Sequence, residues 1–287
     1  MRIALILNFN NYQQTIICCD NVLNTSVKKI IIVDNHSTNK SFSILKNNYK
    51  DIDCVSIIET SSNQGYASGN NCGLNYIATD CGVSSQNIIY ILNPDSDIGE
   101  DNIDSINTLI ETHQCVGAVT VSQQHNLFTA WHCLKPARAL LFNSRIITRI
   151  AGHFGYREVI PYKFNLREIN QTIPVDVVSG AFFGIRQDVL MEVGGFDEGT
   201  FLYYEEEALA AKLKSLGKQN YLLTTSTYIH KGQGSTSLAN SKILKINAQS
   251  RLYFLKKYRH VNQAYILIYK LTNRVDEWIW SLFSKEQ

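Results

Sequence analysis

Short, almost uninterrupted apolar runs punctuate the first half of the chain at residues 3–7, 29–33, 55–58, 88–92 and 116–121. Between them, residues 12–23, 40–49, 69–79 and 101–113 are compatible with helices. Runs that stay apolar on successive residues predict strands buried on both faces. Their alternation with helices predicts a parallel sheet covered on each side. Ligands bind such sheets beyond the carboxyl ends of the strands. The polar residues that close each run are therefore the first candidates for chemistry.

Residues 122–173 lose this rhythm and predict an insertion. Within it, Leu140, Ile147, Ile150 and Phe154 fall near one face of a single helix, with Arg138, Arg145 and Arg149 on another. That pattern suits either a basic amphipathic helix at an anionic surface or an ordinary surface helix packed on the core. The rhythm returns with a strand-like stretch at 175–185, a helix at 187–193 and a strand at 221–225. A further helix spans 205–216, acidic at its start where the dipole favours it, with Gly217 as its stop. Residues 240–284 predict a helical tail rich in aromatics and cations. It would sit at a membrane interface, cover the sheet edge or form a homodimer.

A length of 287 residues with 45% apolar and 18% charged residues suits one large globular domain or a domain with an appendage. We divide the chain into a main domain, 1–239, and a basic aromatic helical extension, 240–287. The first comprises an N-terminal half, 1–121, the insertion 122–173, and a C-terminal half, 174–239. The apolar runs are too short for a transmembrane helix, and the first is too short for a secretory leader. Seven cysteines without a CxxC pair argue against a disulfide framework and a structural zinc site, so a cytoplasmic chain is expected. The net charge of +2 is unevenly placed. Residues 1–239 hold 18 Lys/Arg against 22 Asp/Glu, whereas 240–287 hold 9 against 3. The insertion holds seven basic and two acidic residues. Such regions attract anions: nucleic acid, a membrane face or a phosphorylated substrate.

Four clusters close strands or open helices. Asp34-Asn35-His36-Ser37 offers a carboxylate that could accept from a nucleobase or ribose, or could cap a helix. Asn63 to Gly73 is a Gly/Asn-rich stretch whose glycines permit close backbone approach to phosphate, although it is neither a GxGxxG nor a P-loop motif. Asn93-Pro94-Asp95-Ser96-Asp97 sets two carboxylates at i and i+2, able to share a hard cation or to cap the next helix. Glu205-Glu206-Glu207 would ordinarily be a solvated helix start. The aromatic stretch before it could instead desolvate one carboxylate and raise its basicity. His230 could add a nitrogen ligand to the same cation.

Taken in order, VDNHSTN, NQGYASGNNCG, LNPDSD and VSGAFFGIRQDVLMEVGGFDEGTFLYYEEEAL, with His230 after them, resemble the family 2 glycosyltransferases over residues 3–260. The similarity is greatest to the branch of bacterial rhamnosyltransferases and related O-antigen or capsule enzymes. The resemblance implies a GT-A fold: a single Rossmann-like α/β domain with a mostly parallel central sheet. It also implies a nucleotide-diphosphate sugar donor, dTDP-rhamnose or a UDP-sugar, a divalent cation (Mg²⁺ or Mn²⁺) and inversion at the anomeric carbon. By the same resemblance Asp34 binds the base. Asn8, Asn10, Asn35, Gly65, Gly69, Asn70, Asn71 and Asn93 line the donor side. Asp95, Asp97 and His230 hold the cation; Glu206, with Glu205 beside it, is the catalytic base; Gly180, Tyr203 and Tyr204 face the acceptor. The chain departs from the pattern at Asn93, which stands for the first Asp of a DxD. It departs again at Glu206 and Ala208, so that E-D-x-D reads E-E-E-A.

The basic regions then suit a lipid-linked saccharide acceptor or peripheral contact with an anionic membrane. Nucleic acid loses ground, because no nucleic-acid motif lies where the charge is. The E-E-E-A departure leaves a non-catalytic sugar-nucleotide-binding or scaffold subunit as the alternative. A sugar-nucleotide nucleotidyltransferase is disfavoured, because LNFNNYQQT has no glycine or cation for a triphosphate loop.

Overall fold

The computed structural model describes residues 1–113, 115–124, 129–162, 171–232 and 241–283. The N-terminal half is β1 (Arg2–Asn8), α1 (Tyr12–Leu23), β2 (Lys29–Asp34), α2 (Ser41–Asn48), β3 (Val55–Glu59), α3 (Tyr66–Cys81), β4 (Ile88–Leu92), β5 (Ser96–Asp97), α4 (Glu100–Thr112) and β6 (Val116–Gln123). Then come β7 (Ala130–Trp131), α5 (Pro136–Leu141), α6 (Arg145–His153), β8 (Thr172–Val175), β9 (Val177–Val178), β10 (Phe182–Arg186), α7 (Gln187–Glu192), α8 (Glu205–Ser215), β11 (Gln219–His230), α9 (Ser241–Arg259) and α10 (Gln263–Phe283).

The main sheet runs β3-β2-β1-β4-β10-β6-β11-β5, with β8 also on β11. β10 is antiparallel to both β4 and β6, and β6 is parallel to β11. Strands β1, β2, β3, β4, β6 and β11 therefore all point one way, and β5, β8 and β10 point the other. This is the mostly parallel α/β sheet expected. The uninterrupted runs behave as double-sided burial requires. Ile6, Ile32 and Tyr90 pack with α1 and α4 on one face, while Leu5, Ile31 and Ile91 pack with α3, α7 and α8 on the other.

Three sequence expectations change. The single insertion helix is two, because Ser144 caps α6 by accepting from Ile147 N, and Asn143 is buried with its amide on Tyr269 O at 2.8 Å. The apolar residues of α6 do not reach the core, since none of its residues is buried, whereas Leu140 of α5 packs against the cluster around Tyr204 and Phe254. The stretch 175–185 is broken between β9 and β10 by a turn at Gly180. The tail forms α9 and α10, which bury Phe254, Leu255 and Tyr269 with Leu134, Ala139 and Tyr204. Parts of the insertion, residues 233–240 and the last four residues lie outside the described residues. Among the described residues no helix is long and apolar enough to cross a membrane, and all seven cysteines are free.

Candidate active site

β11 runs on to His230, and its last residues pair with β5: His230 opposite Ser96 and Ile229 opposite Asp97. This pairing joins segments more than a hundred residues apart and sets His230 Nε2 3.3 Å from Asp95 Oδ1. Asn93, Asp95 and His230 then line one side of a pocket of about 280 Å³ whose other side holds Gly180, Tyr203, Glu205 and Glu206. A larger cavity of about 500 Å³ adjoins it, sharing Tyr66, Asn93 and Asp95 and extending to Asn35 and Gly65. Asp97 does not join this group. The chain turns between Asn93 and Ser96 (Ser96 N to Asn93 O, 3.0 Å), so the i, i+2 carboxylates diverge, and Asp97 accepts from Asn21 Nδ2 at 2.7 Å.

Glu206 is held from across the pocket, where Gly180 N donates to its Oε1 at 3.2 Å. A Cβ at position 180 would lie 2.6 Å from that oxygen, so only glycine admits the carboxylate there. Tyr66 closes the same corner by donating its hydroxyl to Gly180 O at 3.0 Å. Glu205 and Glu207 are both buried; Glu207 accepts from Trp131 Nε1 at 3.0 Å, and Glu205 Oε1 is buried without a hydrogen-bond partner. The solvated helix start is thus overturned: aromatic walls enclose the acids, and burial outweighs the favourable helix dipole. Burial raises Glu206 above the usual carboxylate range. Burial and then the charge of Glu206 raise Glu205, and the same two causes push Glu207 up to about 8.

Tyr203 and Tyr204 both adopt left-handed backbone, with φ of 72° and 71°. Two consecutive non-glycine residues there cost about 1 kcal/mol or more each. They turn neighbouring side chains apart. Tyr203 lines the pocket, whereas Tyr204 is buried, stacks on Phe254 with ring centroids 5.8 Å apart and donates to Glu158 Oε1 at 3.4 Å. Tyr204 is therefore not an acceptor-facing group.

The donor-side expectations divide. Asp34 is fully buried, with Oδ1 accepting from Ser37 N and Oδ2 from Asn8 Nδ2 and Ser37 Oγ at 2.7–2.9 Å. Asn35, not Asp34, reaches the larger cavity. Asn8 orients Asp34, and Asn10 accepts from the backbone N–H groups of Thr38 and Asn39. α3 begins at Tyr66, so Gly69, Asn70 and Asn71 lie inside a helix rather than in a phosphate loop. Gly69 fits against Leu7, Asn70 donates to Tyr66 O, and Asn71 ties α3 to Phe196. Gly65 does line the cavity; its φ of 102° and a Cβ position 2.1 Å from Phe201 O exclude other residues. Sequence reasoning missed Phe9, Phe201, Lys242 and Ile246 on the cavity wall. The last two come from α9, and nothing in their local sequence marks them.

Asp95 and His230 offer one carboxylate and one imidazole nitrogen on the same pocket wall. Among the described residues, no three His, Cys, Asp or Glu gather as a metal cage. A divalent cation that binds with a phosphorylated substrate needs only one or two carboxylates from the protein. The pair fits that role.

With this geometry in view, comparison with known proteins is informative. Residues 4–194 match the profile of Glycosyl transferase family 2. The low-salt glycan biosynthesis hexosyltransferase Agl10 of Haloferax volcanii is 25% identical over 185 residues, 63% of this chain and 52% of that protein. The chain thus spans about half the length of that relative. The mannosyltransferase PcManGT from Pyrobaculum calidifontis, solved with GDP-Man and Mn²⁺, aligns with a TM-score of 0.58 at 14% identity, over 91% of this chain and 65% of its own. GalNAc-T7, solved with UDP, GalNAc and Mn²⁺, gives 0.61 at 10% identity, over 90% of this chain and 49% of its own. At such identities the structural likeness establishes the GT-A fold. The family match runs from β1 through β10 and α7, and on that ground the chain belongs to glycosyl transferase family 2.

Proposed function

We propose that this protein transfers a sugar from a nucleotide-diphosphate donor to a saccharide hydroxyl, with inversion and with a divalent cation. The observation that carries this assignment is the Glu206 carboxylate, held by Gly180 N–H in the same pocket as Asp95 and His230. The donor nucleoside occupies the larger cavity beside Asn35 and Gly65, and its diphosphate lies toward Asp95 and His230. Mg²⁺ or Mn²⁺, bound with the diphosphate at Asp95 and His230, supplies charge neutralisation for the leaving group. Glu206 takes the acceptor hydroxyl proton as that oxygen bonds to the anomeric carbon. The carbon–oxygen bond to the diphosphate breaks, and the nucleoside diphosphate leaves with the electron pair. Burial keeps Glu206 basic enough for this work.

The finer assignment is a dTDP-rhamnose or UDP-sugar donor and a lipid-linked saccharide acceptor, in cell-surface polysaccharide synthesis. Support for the acceptor comes from the two basic regions: both pack against Tyr204, next to the acids of the pocket. The GDP-Man, UDP and Mn²⁺ bound by structural neighbours support a nucleotide sugar and a cation in general.

A donor-hydrolysis screen with dTDP-rhamnose, UDP-sugars and GDP-mannose tests the proposal. Hydrolysis of one donor is expected with Mn²⁺ or Mg²⁺, lost in excess chelator and in Asp95→Ala. Acceptor-dependent transfer should be lost in Glu206→Gln. Wild-type transfer by Glu206→Gln, or full activity in chelator, would remove the base or the cation respectively.

A further inference from the structure

α6 and α10 turn apolar stripes toward solvent. On α6 and its C-cap, Ile147, Ile150 and Phe154, at i, i+3 and i+7, are 39%, 58% and 71% exposed. α10 buries Ile266, Tyr269 and Asp276 and presents the opposite side, where Leu271, Val275 and Trp278 are 48%, 54% and 63% exposed. The two helices are locked together. Asp276 accepts from Ser144 Oγ and Arg145 N at 2.9 and 2.8 Å and pairs with Arg145 Nε at 2.6 Å. Monomeric proteins rarely expose so many large apolar side chains on neighbouring helices.

We propose that α6 and α10 form a docking surface for an anionic phospholipid membrane, the six apolar side chains entering the headgroup–acyl boundary and Arg149, Lys270 and Arg274 meeting lipid phosphates. This goes beyond the catalytic assignment and does not depend on it. Charge selects the occupant. Lys270 and Arg274 are exposed beside the stripe of α10 and Arg149 on the polar face of α6, while Asp276 is buried and neutralised by Arg145. A second copy docking by the same patch would bring two surfaces of the same excess charge together, because a two-fold interface uses one patch on both sides. An anionic lipid surface attracts them, and an amphipathic helix with cations beside its apolar face is the form that lies in such an interface. Trp278 belongs at the same depth.

The docked face is also tied to the pocket. Arg251 donates to Tyr269 OH on α10 at 2.7 Å and pairs with Glu158 at 2.5 Å, and Glu158 accepts from Tyr204, the residue before the catalytic acids. A membrane bound at α6 and α10 would therefore hold the pocket at a fixed height and angle.

Flotation of the full chain with vesicles tests this, read separately from any sugar transfer. The wild type should float with vesicles of equal parts phosphatidylglycerol and phosphatidylcholine, and not with pure phosphatidylcholine. Partitioning should fall as salt rises. Ile150→Glu/Phe154→Glu and Leu271→Glu/Trp278→Glu should each lose at least about tenfold in partitioning, because a charge replaces inserted apolar area. Arg149→Glu/Arg274→Glu should lose the preference for anionic vesicles. These side chains are solvent-facing, so circular dichroism melts should match the wild type. The salt titration needs no variant at all. Wild-type protein that stays unbound to anionic vesicles, or apolar variants that float as well as wild type, would overturn the proposal. So would a dimer by light scattering that the same substitutions convert to monomer.

Discussion

A methyl group at position 180 should disable the Glu206 carboxylate without unfolding the chain. In Gly180→Ala the new Cβ would lie 2.6 Å from Glu206 Oε1, 3.2 Å from Cδ and 3.3 Å from Cγ, and these are its three nearest atoms. A carbon and an oxygen normally approach to about 3.3 Å, so the carboxylate must retreat by roughly 0.7 Å. Its hydrogen bond from Gly180 N, already 3.2 Å, breaks in the process. Misplacement of about 1 Å at a reacting group costs on the order of 10²-fold, so kcat should fall about 30- to 100-fold. Gly180 is not among the positive-φ glycines, so alanine meets no backbone strain and the melting temperature should hold. The assay is initial-rate transfer at saturating donor, paired with thermal melting. Glu206→Asp withdraws the carboxylate by one C–C bond, about 1.5 Å, and makes room for the methyl. In Gly180→Ala/Glu206→Asp the clash is relieved but the carboxylate lies about 1.5 Å short, so kcat should stay down by about 10²-fold. Wild-type kcat in Gly180→Ala would refute the placement of Glu206.

Burial raises Glu206, and a base works only when ionised, so the rate should climb with pH through a value above the usual carboxylate range. A pH–rate profile flat above that range would contradict this. Glu207, pushed up to about 8 by burial and the charge of Glu206, stays protonated in the fold where the unfolded chain ionises it. Its contribution is complete below the ordinary carboxylate range and is lost as pH rises toward about 8, so the denaturation midpoint should drop across that window and less so in Glu207→Gln. Asp197 anchors α9 by accepting from Tyr253 and Tyr258 and pairing with Lys257; its burial would raise it, but these partners win and hold it at about 2. Asp197→Ala should cost about 2 kcal/mol and lower the melting temperature by about 4–8 °C, read by calorimetry.

Strands β1, β2 and β4 lie within about two residues of their sequence expectation, because a strand buried on both faces cannot tolerate polar residues and its ends are sharp. Helix starts were less legible. α3 begins three residues before the expected start, at Tyr66 after Gly65, whose left-handed backbone is fixed by contact with Phe201 from far along the chain. The break between α5 and α6 is set by Ser144 and Asn143 bonding to α10, which local periodicity does not contain.

The candidate site divides along the same line. By itself the sequence determined the residue types and their order: a polar group closing each buried run, the Asn93–Asp97 turn, the acids from Glu205 and the histidine that follows. Only the tertiary structure decided which of them share a pocket. The β5–β11 pairing sets Asp95 beside His230, and the turn at Asn93–Ser96 directs Asp97 to Asn21. The consecutive left-handed Tyr203 and Tyr204 send one ring to the pocket and the other to the C-terminal helices. The aromatic stretch before Glu205 pointed to desolvation of one acid; that all three are raised was decided by the fold, because desolvation depends on walls supplied by Tyr66, Trp131 and Tyr203. Local pattern records which face of a strand or helix is apolar. Which distant groups meet is fixed by long-range pairing, and that is where the chemistry of this chain is assembled.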